Sequence, residues 1–294
     1  MQKKLNLKEI FVLTVTVFIF VCFGWVLGYK RIITLPIPRV SSESEKLLQI
    51  ANLVDSNFYP KPKNMQEFTD LLSSSMLSGL NDANTYYSNA DKYRRIQELT
   101  HKSNIGFSKY NDATYILKFD WFTQDLEKEM EFLTKDVENS PDKTLIIDIR
   151  DNLGGNLESG LWFVNLFLDE RNVVVEKYIG GQVTHVTTNN TPLSRIKMYV
   201  VVSKETSSAA EMVTAVLKEN GRAKIVGEST YGKNSIGDFF ELPDKSAVHI
   251  TTGEWITAGE LNNHGMGVKP DIVVENIRDK SQEELVNIIS SEKP

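Results

Sequence analysis

The second half of this sequence repeats one pattern, and that pattern leaves few folds open. Residues 143–149 and 198–202 are short runs with apolar centres of Leu, Ile and Val. Such runs are typical of strands that are buried on both faces of a sheet. A helical pattern follows each run, at residues 157–168 and 208–220. Strands that alternate with helices predict an α/β core in which helices pack against a sheet.

Weaker patterns predict the remaining elements of the chain. Runs of β-branched and aromatic residues predict strands, and apolar residues at helical spacing predict helices. The turn Asn-Leu-Gly-Gly at residues 152–155 separates the first buried run from the helix that follows it. By these criteria further strands are predicted at residues 114–119, 173–179 and 223–226, and further helices at residues 91–99 and 124–138, near Ser42 and after Pro62.

Near the N-terminus, residues 10–29 form an apolar run of twenty residues without a charged side chain. A helix rises about 1.5 Å per residue, so this run matches a hydrocarbon core of roughly 30 Å and predicts a membrane-spanning helix. No Ala-x-Ala-like site follows the run, which disfavours a cleaved signal peptide, and a buried core helix is the remaining alternative. Basic residues flank the run on both sides, so the positive-inside rule discriminates little. A single N-terminal span before one large domain is typical of a signal anchor, which predicts a single-pass cell-membrane protein whose folded domain is extracytoplasmic.

Composition narrows the possible partners of the chain. Of its 294 residues 41% are hydrophobic, which is enough for one substantial core. The net charge is −6 and Lys and Arg form no long block, so nucleic acid is not an expected partner. The single cysteine, Cys22, rules out an intrachain disulfide. The four histidines show neither metal-ligand spacing nor a Ser/His/Asp pattern, so no metal or cofactor is predicted, and His249 and His264 are taken as isolated.

These patterns divide the chain into six predicted segments. A cytoplasmic N-terminus, a transmembrane anchor and a linker with Pro and Ser residues come first. A helical region, the α/β core and a C-terminal helix or tail follow. The predicted bounds are residues 1–9, 10–29, 30–42, 43–103, 104–278 and 279–294.

Residue types suited to nucleophilic chemistry gather in two segments. Residues 206–211 (Thr-Ser-Ser-Ala-Ala-Glu) lie at the start of the helix predicted at residues 208–220, and residues 227–233 end in Tyr-Gly-Lys. A serine hydroxyl is a poor nucleophile at neutral pH and needs a neighbouring base. A lysine amine is such a base only where burial lowers its pKa. The two segments therefore predict a serine nucleophile that is paired with a lysine base.

Four segments in a fixed order resemble the carboxyl-terminal processing peptidases, the tail-specific serine proteases of peptidase family S41. The segments are residues 145–155, 206–211, 222–233 and 265–272, with a weaker likeness at residues 79–87 and 104–107. The resemblance implies a ClpP/crotonase-like α/β core and serine endopeptidase activity through an acyl-enzyme. It also implies that the substrates are peptides or unfolded protein segments.

The resemblance also assigns the nucleophile and the base. In the family the nucleophilic serine lies three residues before a glutamate and 25 residues before the lysine, which selects Ser208 over Ser207 and implies Lys233 as the base. The opposing interpretation is that Ser207 or Ser208 merely caps the helix, which is a common role for serine at that position.

Two further sets of residues accompany this pair. The resemblance implies that the oxyanion hole uses the backbone N–H groups of Ala209 and of the Gly-Gly turn, where Gly154 is preferred to Gly155. Among charged residues, Glu211 and Glu219 on the predicted helix are placed to adjust the site electrostatically, and a solvated surface position is favoured for Glu219. Asp148 and Arg150 are expected to shape the Gly-Gly turn through hydrogen bonds.

The sequence departs from the family pattern at two points. Many relatives carry a glutamine four residues after the lysine that helps to orient the amine, and this chain has Gly237 there. Relatives usually also carry a PDZ domain between the segments that match residues 104–107 and 114–119, where few residues intervene here. A PDZ domain captures a substrate C-terminus as an added strand. Restraint of the enzyme is therefore expected from the helical region before Asn104 or from a regulatory protein.

The sequence thus predicts a membrane-anchored serine endopeptidase with a Ser208/Lys233 dyad. One alternative is a catalytically weak relative that binds peptides or a partner protein as a scaffold, an interpretation that the two departures favour. Another keeps the α/β core but uses its oxyanion hole for acyl-thioester chemistry, as crotonase-type folds do. This last alternative leaves the serine–lysine interval and the membrane anchor unexplained.

Overall fold

The structure is a computed structural model that describes residues 42–58, 64–124, 126–130, 142–169, 171–187, 196–259 and 265–291. The predicted membrane span at residues 10–29 and His264 lie outside these ranges. Within them, no helix combines the length and the apolar character that crossing a bilayer requires.

The chain divides into two compact units, Met1–Asn64 and Met65–Pro294. The helical region predicted at residues 43–103 is split by this division. The first unit contributes one described helix, α1, and the second contains all the others. The helices are α1 (Ser42–Asn57), α2 (Met65–Ser78), α3 (Ala90–Thr100), α4 (Leu126–Glu129), α5 (Leu157–Asn165), α6 (Ala209–Glu219) and α7 (Gln282–Ser291), with a 3₁₀ turn at Ile277–Asp279.

Two sheets form the second unit. The strands are β1 (Tyr86–Ser88), β2 (Gly106–Asn111), β3 (Thr114–Lys118), β4 (Thr144–Asp148), β5 (Arg171–Tyr178), β6 (Gly181–Thr187), β7 (Lys197–Val202), β8 (Lys224–Gly227), β9 (Ser235–Glu241), β10 (Ala247–Thr257) and β11 (Ile272–Val273). Six of them make a central sheet in the order β11-β8-β7-β4-β3-β2, which is parallel except for the β2–β3 hairpin. A five-stranded antiparallel sheet has the order β1-β10-β5-β6, and β9 pairs with β10.

The central sheet is covered on both faces. Leu145 and Val200 belong to a core that includes α5, α6 and Trp255 of β10. On the opposite face Ile146 packs in a cluster with Leu285 of α7. Burial on both sides explains why the runs at β4 and β7 are continuously apolar. The predicted α/β class and the strands predicted for β3, β4, β7 and β8 are confirmed.

Other elements differ from the sequence patterns. Of the helix predicted at residues 124–138, the described part is Leu126–Glu129, and residues 131–141 lie outside the described ranges. The patterns miss β9 and β10, because these strands are half-buried and mix polar with aromatic residues. β2 and β3 are joined directly around residues 112–113, so no PDZ-sized segment is inserted between them.

Candidate active site

The turn between β7 and α6 carries Ser208. Thr206 Oγ1 donates to the Ile149 carbonyl oxygen over 3.0 Å, and the Ser207 N–H donates to the Asn152 carbonyl oxygen over 3.2 Å. These bonds fix the turn to the one that follows β4. Ser208 itself has φ 57° and ψ −123°, a conformation that residues with a side chain rarely adopt. The fixed and strained turn therefore holds the half-buried Ser208 side chain at the N-terminus of α6.

The Gly-Gly turn after β4 lies against Ser208. Gly154 has φ 106°, and a Cβ on it would lie 2.8 Å from the Ser208 Cβ and 3.2 Å from the Ala209 nitrogen, so only glycine fits. The Gly154 N–H donates to Asn152 Oδ1 over 2.8 Å. The N–H groups of Ala209 and Gly155 donate to none of the residues that the structure describes. The oxyanion role of Gly154 stays a prediction, and its N–H is already engaged in this structure.

Lys233 lies in the loop between β8 and β9, two residues before β9 begins. The Gly232 carbonyl oxygen accepts the Gly265 N–H over 2.9 Å. Gly267, with φ 67°, approaches the Thr230 carbonyl oxygen so closely that a Cβ would collide with it. The glycines of the fourth motif segment therefore serve to hold the backbone of the lysine loop. Close backbone packing explains Gly267, and the positive φ of 72° explains Gly265.

Glu211, in the first turn of α6, joins the two segments of the site. Its Oε2 accepts the N–H groups of Ser208 at 2.9 Å and of Lys233 at 2.8 Å. Its Oε1 accepts the Thr230 hydroxyl and the Gly232 N–H, each at 2.6 Å. The carboxylate is fully buried. Because one oxygen binds the backbone of both residues, the serine and the lysine turns are held side by side.

Burial shifts the Lys233 amine towards its neutral form. Desolvation by burial lowers the pKa of Lys233 below its usual 10.5, and the carboxylates of Asp82 and Glu211 oppose this shift. Burial also raises the pKa of Glu211, although its four hydrogen bonds act in the other direction. Among the described residues, the Lys233 amine has no hydrogen-bond or ion-pair partner, so it is not bonded to the Ser208 hydroxyl.

The prediction that His249 is an isolated histidine is wrong. His249 lies on β10, is only 8% exposed, and bonds through Nδ1 to the Asn84 carbonyl oxygen. Its ring rests on Gly237, where a Cβ would lie 2.7 Å from Nε2. The ring also interacts electrostatically with Lys233, whose charge helps to lower the histidine pKa after the larger effect of burial. No local pattern could indicate this, because residues remote in sequence make all these contacts.

Glu219 is not a solvated surface carboxylate, so that prediction is also wrong. It is half-buried, accepts the Thr257 hydroxyl, and accepts the Gly259 N–H over 3.3 Å. Thr257 lies at the end of β10, so Glu219 fastens the C-terminal end of α6 to the antiparallel sheet. It contributes to the fold of the site and has no bond to Ser208 or Lys233.

Asp148 and Arg150 have a structural role, as predicted, but with different partners. Arg150 forms two bonds to the Asp148 carboxylate, of 2.8 and 2.7 Å, and both side chains are buried. Its Nη1 donates to the carbonyl oxygens of Ile277 and Lys280. The pair therefore connects the end of β4 to the C-terminal segment. The Gly-Gly turn is instead bonded by Asn152. In the described ranges no cluster of His, Cys, Asp and Glu could hold a metal ion.

Comparison with known proteins finds a family match. A profile of peptidase family S41 matches residues 114–274. Carboxyl-terminal-processing peptidase 1, chloroplastic, from Arabidopsis thaliana is 38% identical over 130 residues, which are 43% of this chain and 26% of that protein. The carboxyl-terminal-processing protease of Synechocystis sp. is 31% identical over 168 residues, or 57% of this chain and 39% of that protein. The chain thus spans well under half the length of these relatives.

A solved structure supports the same fold. The photosystem II D1 C-terminal processing protease superposes with a TM-score of 0.53 and 23% identity, over 61% of this chain and 47% of that one. At this identity the likeness concerns the fold, which is the mixed α/β architecture described above.

Proposed function

The chain belongs to peptidase family S41, a family of serine proteases, and on that premise we propose that it is a membrane-anchored serine endopeptidase. Ser208 is the nucleophile, Lys233 is the general base, and the substrates are peptides or unfolded protein segments near the membrane. The observation that carries the proposal is the shared Oε2 of Glu211, which binds the backbone of both residues. Two residues 25 positions apart are thereby brought to one place.

The proposed reaction begins with the neutral Lys233 amine. The amine takes the proton of the Ser208 hydroxyl as Oγ attacks the carbonyl carbon of the substrate. The resulting ammonium gives that proton to the departing amine, the peptide C–N bond breaks, and an ester to Ser208 remains. Water then loses a proton to the lysine and attacks the ester. The acid product leaves, and the proton returns to Ser208 Oγ.

This sequence of steps needs the amine to reach the hydroxyl. The lysine side chain has a flexible four-carbon stem, and catalytic hydrogen bonds often tighten only when substrate binds. Burial supplies the other requirement, since it lowers the pKa of Lys233 and so raises the fraction of neutral amine near neutral pH.

Backbone N–H groups are proposed to bind the oxyanion. The Ala209 N–H belongs to the first turn of α6, where helix N–H groups have no partner within the helix. The second donor comes from the Gly-Gly turn. Gly154 lies nearest Ser208, but its N–H must break its hydrogen bond to Asn152 before it can bind the oxyanion. The Gly155 N–H is the alternative donor. Each such donor contributes about 3 kcal/mol to transition-state stabilisation.

The test is cleavage of fluorescently labelled, unfolded casein by the purified full-length protein in detergent. We expect Ser208→Ala and Lys233→Ala to lower kcat by roughly 10³-fold or more. The matched controls are the neighbouring Ser207→Ala and the exposed Lys204→Ala, which should stay within about threefold of wild type. Full turnover by Ser208→Ala would refute the proposal. Tight binding of casein without turnover by the wild type would favour the scaffold alternative.

Anchoring in the membrane is proposed from residues 10–29 alone. Its test is extraction of cell membranes at alkaline pH, which releases peripheral proteins and leaves spanning ones behind. Full-length protein should stay with the lipid, and a variant that lacks residues 1–29 should be released. Protease added outside intact spheroplasts should digest the folded domain. Release of the full-length protein at alkaline pH would contradict the anchor.

A further inference from the structure

No group among the described residues fixes the amine of the proposed base in place. The Lys233 amine forms no hydrogen bond or ion pair within the part of the chain that the structure describes. A lysine side chain samples many rotamers, and misplacement by about 1 Å can lower a rate 10²-fold. Efficient proton transfer from Ser208 therefore requires a group that orients the amine.

His249 is a fixed polar group that interacts electrostatically with this lysine. Its ring stacks on Tyr86 with centroids 5.0 Å apart and meets Phe239 edge-on at 4.7 Å. Its Nδ1 is bonded to the Asn84 carbonyl oxygen. A carbonyl oxygen only accepts, so Nδ1 carries the proton and Nε2 of the neutral ring keeps its lone pair.

Gly237 provides the space for this ring. A Cβ at that position would lie 2.7 Å from His249 Nε2, so the edge of the ring that bears the lone pair rests on the backbone of β9. β9 begins two residues after Lys233. The edge with the free nitrogen therefore faces the strand that leads out of the lysine loop. A side chain larger than hydrogen at 237 would displace the ring.

Burial keeps the ring neutral. It is the largest influence on the pKa of His249 and lowers it, and a charged Lys233 would act in the same direction. The hydrogen bond to Asn84 and the carboxylates of Asp238 and Asp82 oppose this shift. The net direction is downward from 6.5, so the ring is an acceptor at neutral pH. Asp82 itself is occupied, since its carboxylate accepts bonds from Thr251 and from residues of its own turn. It is therefore less suited than the imidazole to hold the amine.

We propose that His249 is the positioning residue of this active site: its Nε2 accepts a hydrogen bond from the Lys233 amine, directly or through one water, and so directs the amine to Ser208. The inference rests on the proposed function. Asn84 holds the ring in the required tautomer, and Gly237 leaves room for it. The N-terminal part of the second unit thereby helps to position the base, because Asn84 lies in the turn before β1.

The first experiment measures casein cleavage by full-length His249→Ala, with exposed His101→Ala as the control. We expect kcat to fall about tenfold or more while KM changes less than about twofold, because the base is misplaced and substrate contacts are kept. Added imidazole should fill the vacated site and raise kcat roughly fivefold in His249→Ala alone. Pyrrole, which has the same shape but no acceptor nitrogen, should not.

The second experiment does not need turnover. Lys233 is acetylated by acetic anhydride in competition with exposed Lys204, and the ratio is read by mass spectrometry. Loss of the ring should raise the acetylation rate of Lys233 relative to that of Lys204 by about threefold. The amine then loses its hydrogen-bond acceptor and the ring that covers it. Imidazole should reverse the increase, and His101→Ala should show none.

The outcomes separate this inference from the proposed function. Unchanged kcat and unchanged acetylation in His249→Ala overturn the role of His249 alone. A fall in kcat, KM and Tm together, with no recovery in imidazole, also overturns it, since the ring then only supports the fold. Absence of Ser208-dependent cleavage in the wild type refutes the peptidase, and a threefold acetylation change would still establish the contact between His249 and Lys233.

Discussion

Replacing Glu211 by glutamine tests whether this carboxylate holds the two turns of the site together. The change keeps the shape of the side chain and removes its charge. In the wild type the carboxylate accepts four hydrogen bonds, two at each oxygen. The amide keeps one oxygen for two of these donors, and its NH₂ group faces the other two.

The expected magnitude follows from the better of two amide orientations. With the NH₂ at the Oε1 position, the Thr230 hydroxyl can turn and accept from it, but the Thr230 O–H and the Gly232 N–H both lose their acceptor. A buried unpaired N–H costs about 1–3 kcal/mol, and the two retained bonds weaken when their acceptor is neutral. Removal of a buried charge, whose pKa burial has raised, offsets part of this loss. We expect the free energy of unfolding to fall by about 2–3 kcal/mol.

The assay is urea unfolding of the full-length protein at neutral pH, with Glu98→Gln as the control. Glu98 is exposed on α3, so its variant makes the same charge change without the buried bonds. Because the pKa of Glu211 is raised above 4.5, its contribution is fully present below that pH and decreases as the pH rises through the folded value. The difference between wild type and Glu211→Gln should therefore be larger at acid pH.

Two results would refute this reasoning. One is a Glu211→Gln variant whose stability and kcat equal those of Glu98→Gln within about 0.5 kcal/mol and twofold. The other is a stability difference that grows as the pH rises, because that would require a lowered pKa for the buried carboxylate.

Three further perturbations test other parts of the site. Lys233→Met should raise Tm at pH 7, because a base with a depressed pKa contributes its full stability only above its unfolded pKa of 10.5. The gain in Tm should therefore vanish above pH 10.5. An unchanged Tm at pH 7 would argue against burial of the amine. Gly155→Ala should lower the free energy of unfolding by about 2 kcal/mol or more and abolish cleavage, since φ is 129° and the Cβ would lie 2.9 Å from a backbone nitrogen. The control is Gly180→Ala, whose Cβ would meet open space. Thermal melts of the two variants make the comparison. Arg150→Ala should cost about 3–5 kcal/mol in urea unfolding because it leaves a buried carboxylate unpaired, and Arg94→Ala, which removes an exposed pair, should cost less than about 1 kcal/mol.

Local sequence was sufficient for the parts of this protein whose chemistry is local. The apolar centres of β4 and β7 predicted buried strands, because a sheet covered on both faces excludes polar side chains there. The resemblance over four ordered segments predicted the family that the comparison then showed. The same segments singled out Ser208 and Lys233, whose roles stay proposals for experiment.

Contacts between remote segments were beyond any local pattern. His249 looked isolated because its partners, Asn84 and Gly237, come from a turn 165 residues away and from a neighbouring strand. Glu211 was expected near the site, but three of its four donors belong to the lysine loop and became visible only when that loop was folded against α6. The amino-acid order of this chain determined which groups are available and where strands and helices form. Tertiary packing decided which of those groups are buried and which face one another, because desolvation and hydrogen bonding depend on distance in space and not along the chain.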